Sequence, residues 1–201
     1  MIERRDISRV LSGIAVGLCL AWSAAFAVAE IPVMTRALDN PARTRTLQSL
    51  SRGGGGHYGK YLSLDSSTGQ LELTVDGRPA SMNTAWEVKP GFYEERGYKA
   101  HVLVSRGNNR FNSYYVRMDP VSGLIGLSRM ETTIDDTAKW LVRYAGKYYG
   151  YHAFYVQTLA FSEGGFDLSY VAVDERTGEL MLSRELTPGA HWHMRALNHL
   201  R

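Results

Sequence analysis

The sequence predicts an all-β domain built from three copies of one four-stranded unit, and three observations carry that reading. The chain of 201 residues is globular in composition, with 44% hydrophobic and 11% aromatic residues, while its twenty glycines and twelve tyrosines favour short strands and many turns. Three segments, 61–74, 115–128 and 170–183, align with one another without a gap. Their glycines Gly69, Gly123 and Gly178 lie 54 and 55 residues apart, and Trp86, Trp140 and Trp192 follow at spacings of 54 and 52, so two independent markers share one period.

The first segment of the chain stands outside the repeats. Arg4, Arg5 and Arg9 precede an apolar run over 11–29 that ends Ala27-Val28-Ala29, the charged, hydrophobic and small-residue parts of a secretory signal peptide cleaved after Ala29. Gly13, Gly17, Ser12 and Ser23 dilute the run as a membrane anchor, and Arg4-Arg5 suits either a general or a twin-arginine export signal. Leu18, ahead of Cys19, is too large for lipoprotein processing. Cleavage removes this one cysteine, so a secreted or periplasmic domain has to be held by its core alone. Residues 30–41 hold two prolines and have no repeat partner, which reads as an extended leader.

Each repeat then opens on two short strands. Apolar residues alternate at Leu62 and Leu64 and again at Leu71 and Leu73, one face of each strand pointing inward. A hairpin turn joins them at Asp65, Asp119 and Asp174, whose side chains can accept from backbone N–H groups ahead, with Gly69, Gly123 and Gly178 free to take positive φ. A third strand carries each Trp. The fourth follows at His101 to Ser105 and at Phe154 to Thr158. The third repeat ends before its fourth strand, and Leu47 to Gly53 supplies it from the other end, one period upstream of His101 to Gly107, with Ser-Arg-Gly repeated at 51–53 and 105–107.

Twelve short strands in three repeats, with the two ends pairing to leave no open edge, resemble a β-trefoil. The resemblance covers residues 42–201, as repeats of about 53–106, 107–160 and 161–201 closed by 42–52. A three-bladed propeller is the rival arrangement, and propellers have about four blades or more. Within the superfamily, ricin-type lectins carry Gln two residues before the repeat Trp. Here Thr84, Ala138 and Ala190 stand there. The Tyr-Leu, Asp, Gly and Trp pattern looks more like the fascin and fibroblast-growth-factor side, without a motif that carries over an actin or receptor site, and the N-terminal signature of Kunitz-type trefoil inhibitors is not evident.

Residues that break the symmetry are the candidates for function. Tyr144, Tyr148, Tyr149 and Tyr151 are expected in a loop whose first-repeat counterpart holds Tyr93 and Arg96 instead, and exposed Tyr rings give rigid amphipathic surface for a glycan face or a protein partner. Packing of some of these rings on each other under the barrel is the bland alternative. Gly53 to Gly56 read as a flexible loop, because a phosphate-binding loop needs a following Lys-Ser/Thr and a helix. His191 and His193 flank Trp192, so an inward indole would turn both imidazoles outward on one face, yet no carboxylate or thiol at ligand spacing completes a metal site. No cofactor is expected.

Removing residues 1–29 takes three basic and two acidic residues from 23 and 20, leaving 20 against 18, too weak an excess for nucleic acid. No Gly-x-Ser-x-Gly elbow or His-Glu-x-x-His helix places a nucleophile beside a base, so the expectation is a noncatalytic module. The sequence thus points to an exported module that recognises glycan or cell-envelope polysaccharide, the alternative being an inhibitor or adhesin that binds an extracellular protein through a protruding loop. No membrane span is expected after cleavage, and the oligomeric state is open.

Overall fold

The computed structural model describes residues 44–75, 82–95, 98–107, 109–129, 134–159 and 165–197. The signal segment 1–29 and leader 30–41 lie outside them. The described residues form twelve strands: β1 (Thr44–Ser49), β2 (Tyr61–Leu64), β3 (Leu71–Thr74), β4 (Trp86–Glu95), β5 (Tyr98–Ser105), β6 (Tyr115–Met118), β7 (Ile125–Ser128), β8 (Trp140–Tyr148), β9 (Tyr151–Thr158), β10 (Tyr170–Val173), β11 (Leu180–Ser183) and β12 (Trp192–Ala196).

Six strands close a barrel. Antiparallel pairing runs β1 to β4, β4 to β5, β5 to β8, β8 to β9, β9 to β12 and back from β12 to β1, so the strand from the N-terminal side completes the last repeat. The other six form three hairpins, β2–β3, β6–β7 and β10–β11, each tied to a barrel strand by its first Tyr: Gln48 faces Tyr61, Val104 faces Tyr115 and Gln157 faces Tyr170.

The three tryptophans are at most 1% exposed, and each indole Nε1 donates to the carbonyl of its own repeat's hairpin strand: Trp86 to Leu62 at 3.0 Å, Trp140 to Val116 at 3.0 Å and Trp192 to Val171 at 2.8 Å. A Trp can lie this deep because its one polar atom is satisfied there. Around them pack Leu62, Leu64, Val116, Met118, Val171 and Val173, the inward positions read from the alternation, each worth about 1.5–3 kcal/mol on burial. Leu71, Leu73, Ile125, Leu127, Leu180 and Leu182 are half-buried against the same cluster. The core void is only about 10 Å³, too small to receive a ligand.

The hairpin turns follow the side-chain chemistry. Oδ1 of Asp65 accepts from the N–H of Ser67 and Thr68, that of Asp119 from Val121 and Ser122, and that of Asp174 from Arg176 and Thr177. The Ser67 hydroxyl, donating to Asp65 Oδ1 at 2.6 Å, together with these backbone bonds holds that carboxyl at about 2, and the backbone bonds hold those of Asp119 and Asp174 below the usual range. Gly69, Gly123 and Gly178 take φ of +81°, +72° and +81°, and an aromatic ring from the next loop presses on each: Phe111, Phe166 and His57 would stand 2.7, 2.6 and 2.5 Å from an added Cβ. Only glycine meets both demands.

One register expectation is corrected. Trp192 pairs with Ser49, Trp86 with Ser105 and Trp140 with Thr158, so Ser49, and not Ser51, is the counterpart of Ser105. The backbone agrees: Ser49 N donates to Lys60 O, Ser105 N to Tyr114 O and Thr158 N to Ser169 O. The repeated Ser-Arg-Gly is therefore two residues out of structural register. A slip of two preserves which face points inward, so Leu47 and Leu103 both reach the core, and the difference is taken up in the connections that follow.

Candidate functional site

The tyrosine-rich segment is not a loop. β8 and β9 pair down to Tyr148 opposite Tyr151, leaving a two-residue turn of Tyr149 and Gly150 at φ +50° and +82°. Positive φ at both central positions is the geometry of the type I′ turn, whose twist matches that of the strands it joins. A bulge between Tyr144 and Gly146 bends this arm, with Gly146 at φ +91°.

The four tyrosines have different employment. Tyr144 packs on Phe154, ring centroids 5.7 Å apart, and its hydroxyl meets His152 Nδ1 at 2.9 Å, so it belongs to the arm's inner face. Tyr148 stacks on His191, 3.9 Å away and within 10° of parallel. Burial pushes its phenol above the ordinary value. Tyr149 and Tyr151 remain 51% and 43% exposed. Tyr93 lies on β4, but its side chain, like Arg96, lies outside the described residues.

The histidines also depart from expectation. His191 is buried beneath Tyr148, its Nδ1 donating to Pro188 O at 3.2 Å, which leaves Nε2 to accept from the Tyr155 hydroxyl at 3.3 Å. His193 Nδ1 donates to His152 O at 3.0 Å, and its ring lies 5.3 Å from that of Tyr151. Neither imidazole is the free outward group the alternation suggests, because His191 is buried under Tyr148 and Tyr155 and His193 is half-buried against Tyr151. His199, a third histidine close by in sequence, lies outside the described residues. Among the described residues no three potential ligands converge on a metal position.

Beside the arm lies a segment whose role the sequence did not disclose. The loop joining β1 to β2 places the Arg52 guanidinium 4.0 Å from the ring centre of Tyr149 and 4.6 Å from that of Tyr58. Tyr58 is itself 37% exposed. The Arg52 guanidinium beside it holds the Tyr58 phenol below its ordinary pKa, and Tyr58 in turn raises that of Tyr151. The loop is anchored from below: Ser51 Oγ donates to Glu175 Oε1 at 3.0 Å, and Glu175 lies so close to Gly53 that a Cβ there would collide with its carboxylate. Three exposed tyrosines and one arginine, drawn from the β1–β2 loop and the β8–β9 arm, thus form one amphipathic surface.

The fold itself has counterparts among solved structures. Cry35Ab1 aligns at a TM-score of 0.57 with 12% identity over 81% of this chain and 38% of its own. BEL β-trefoil aligns at 0.55 with 12% identity, over 78% of this chain and 96% of that one. The fold is a β-trefoil. The GlcNAcα1-4Gal-releasing endo-β-galactosidase of Clostridium perfringens also aligns, at 0.55 with 11% identity, over 78% of this chain and 33% of that one. This chain therefore spans only about a third of the galactosidase and under two fifths of Cry35Ab1. No family model and no curated protein matches it.

Proposed function

We propose that this trefoil is an exported, noncatalytic binding module that recognises glycan, including cell-envelope polysaccharide, through the surface made by Tyr58, Tyr149, Tyr151 and Arg52. The observation that carries the reading is the set of exposed tyrosine rings held in place by neighbours and not by burial. An aromatic face buries the C–H face of a sugar while phenol and guanidinium groups bond its hydroxyls, and rigid rings lose little entropy on binding. Export rests on the Arg4 to Ala29 leader. A trefoil aligned with BEL over almost all of the latter's length, and with part of a galactosidase that releases GlcNAcα1-4Gal, adds support by analogy of fold.

A glycan array with the exported protein tests this reading. Saturable binding that is lost in Tyr149→Ala and Tyr151→Ala, with thermal stability little changed, is the expected result. A blank array overturns it in favour of a protein partner. Tyr148 is a poor probe, since its stacking on His191 makes it part of the arm's packing.

A further inference from the structure

The charge at the centre of this surface narrows the ligand class, on the premise that the surface binds sugar. Two other arginines of the domain are paired with carboxylates, Arg106 with Glu87 and Arg117 with Asp135. Arg52 has no carboxylate partner among the described residues. Glu175, the acid on the facing turn, is engaged by Ser51. The rings of Tyr58 and Tyr149 can satisfy the face of a guanidinium but not its five in-plane N–H donors. An exposed cation is thus held in position between aromatic rings with donors to spare.

We propose that the site takes a carboxylated sugar, a uronic or sialic acid residue, with its carboxylate bonded by Arg52 and its ring laid against Tyr149 or Tyr151. A planar guanidinium matches a carboxylate with two parallel N–H···O bonds. A single cation flanked by rings suits one carboxylate on a ring better than a phosphate, which draws on several cations or backbone N–H groups.

The test compares isosteric ligands. Trigalacturonic acid and its methyl ester present the same ring faces with and without charge, and sialyllactose and its methyl ester form a second such pair that separates the two sources of carboxylate. Calorimetry with the exported protein should give at least one acid about tenfold tighter than its neutral counterpart, as expected for a charge-assisted contact. Arg52→Gln should abolish that preference, weakening the acid about tenfold more than the neutral counterpart, whereas Tyr151→Ala should weaken both alike and keep the preference. Equal binding of acid and neutral partner in both pairs, or a preference that survives Arg52→Gln, overturns the carboxylate assignment and leaves glycan recognition standing. If neither these ligands nor any arrayed glycan binds, the glycan reading itself fails and takes this inference with it.

Discussion

Replacing Trp140 by Phe tests whether the three indoles bear equal parts of the fold. The change removes the N–H that reaches Val116 O at 3.0 Å from a side chain with no exposure. Leaving that carbonyl unpaired costs about 1–3 kcal/mol. The missing part of the ring adds about 1–2 kcal/mol in transfer and cavity terms, less than a full truncation to Ala. The total of about 3 kcal/mol is a large share of a typical stability, and at about 2–4 °C per kcal/mol it lowers Tm by about 6–12 °C. Urea unfolding followed by circular dichroism measures it, without relying on the fluorescence of the residue removed. Because Trp86 and Trp192 are equally buried and make the same bond, their Phe variants should agree with it within about 1 kcal/mol, within the scatter expected of buried sites. A cost under about 1 kcal/mol at any one of the three would refute the view that the repeats share one clasp.

Two further outcomes follow from the turns. The folded-state carboxyl pKa values of Asp65, Asp119 and Asp174 lie below the ordinary 3.8, so their stabilising contribution is complete above that value and is lost as pH falls through the folded values, near 2 for Asp65; acid titration of the Asp65→Asn, Asp119→Asn, Asp174→Asn variant should therefore show a flatter loss of stability between about pH 4 and pH 2, and an unchanged slope would contradict the turn bonding. Gly69→Ala meets both a positive φ and the Phe111 ring and should cost about 2–4 kcal/mol in denaturant melts, whereas Gly150→Ala, at a similar φ in open space, should cost about 1–2 kcal/mol; equal costs would mean that the Phe111 contact is not tight.

The fold was legible because its rules are local and repeated. Alternating Leu and Val positions, Asp-led turns and one Trp per unit each report a geometric demand that recurs three times, and β1 was found from its place one period upstream of His101 to Gly107. The false match at Ser-Arg-Gly shows the limit of that signal: period-two patterning is blind to a slip of two, and only the pairing of Ser49 with Trp192 fixes the register. The candidate surface was half visible. Tyrosine enrichment flagged Tyr149 and Tyr151, but segregating them from Tyr144 and Tyr148 required knowing that the arm is a bulged hairpin with one side against Phe154 and His191. Arg52 and Tyr58 were missed because they meet the arm across some ninety residues of chain, in a loop whose glycines suggested only looseness. The one available hint was the cation beside the glycine run.

The pairing of β1 with β12, sealed where Leu197 N donates to Thr44 O, sets the order in which this molecule can mature. A strand made early must wait, unzipped along one side, until β12 emerges to meet it. Nearly the whole domain then has to be available before the barrel closes, and that long wait is the kind of distant pairing that slows folding and leaves a sticky edge uncovered. Loss of the final strand would accordingly harm the beginning of the domain as much as its end.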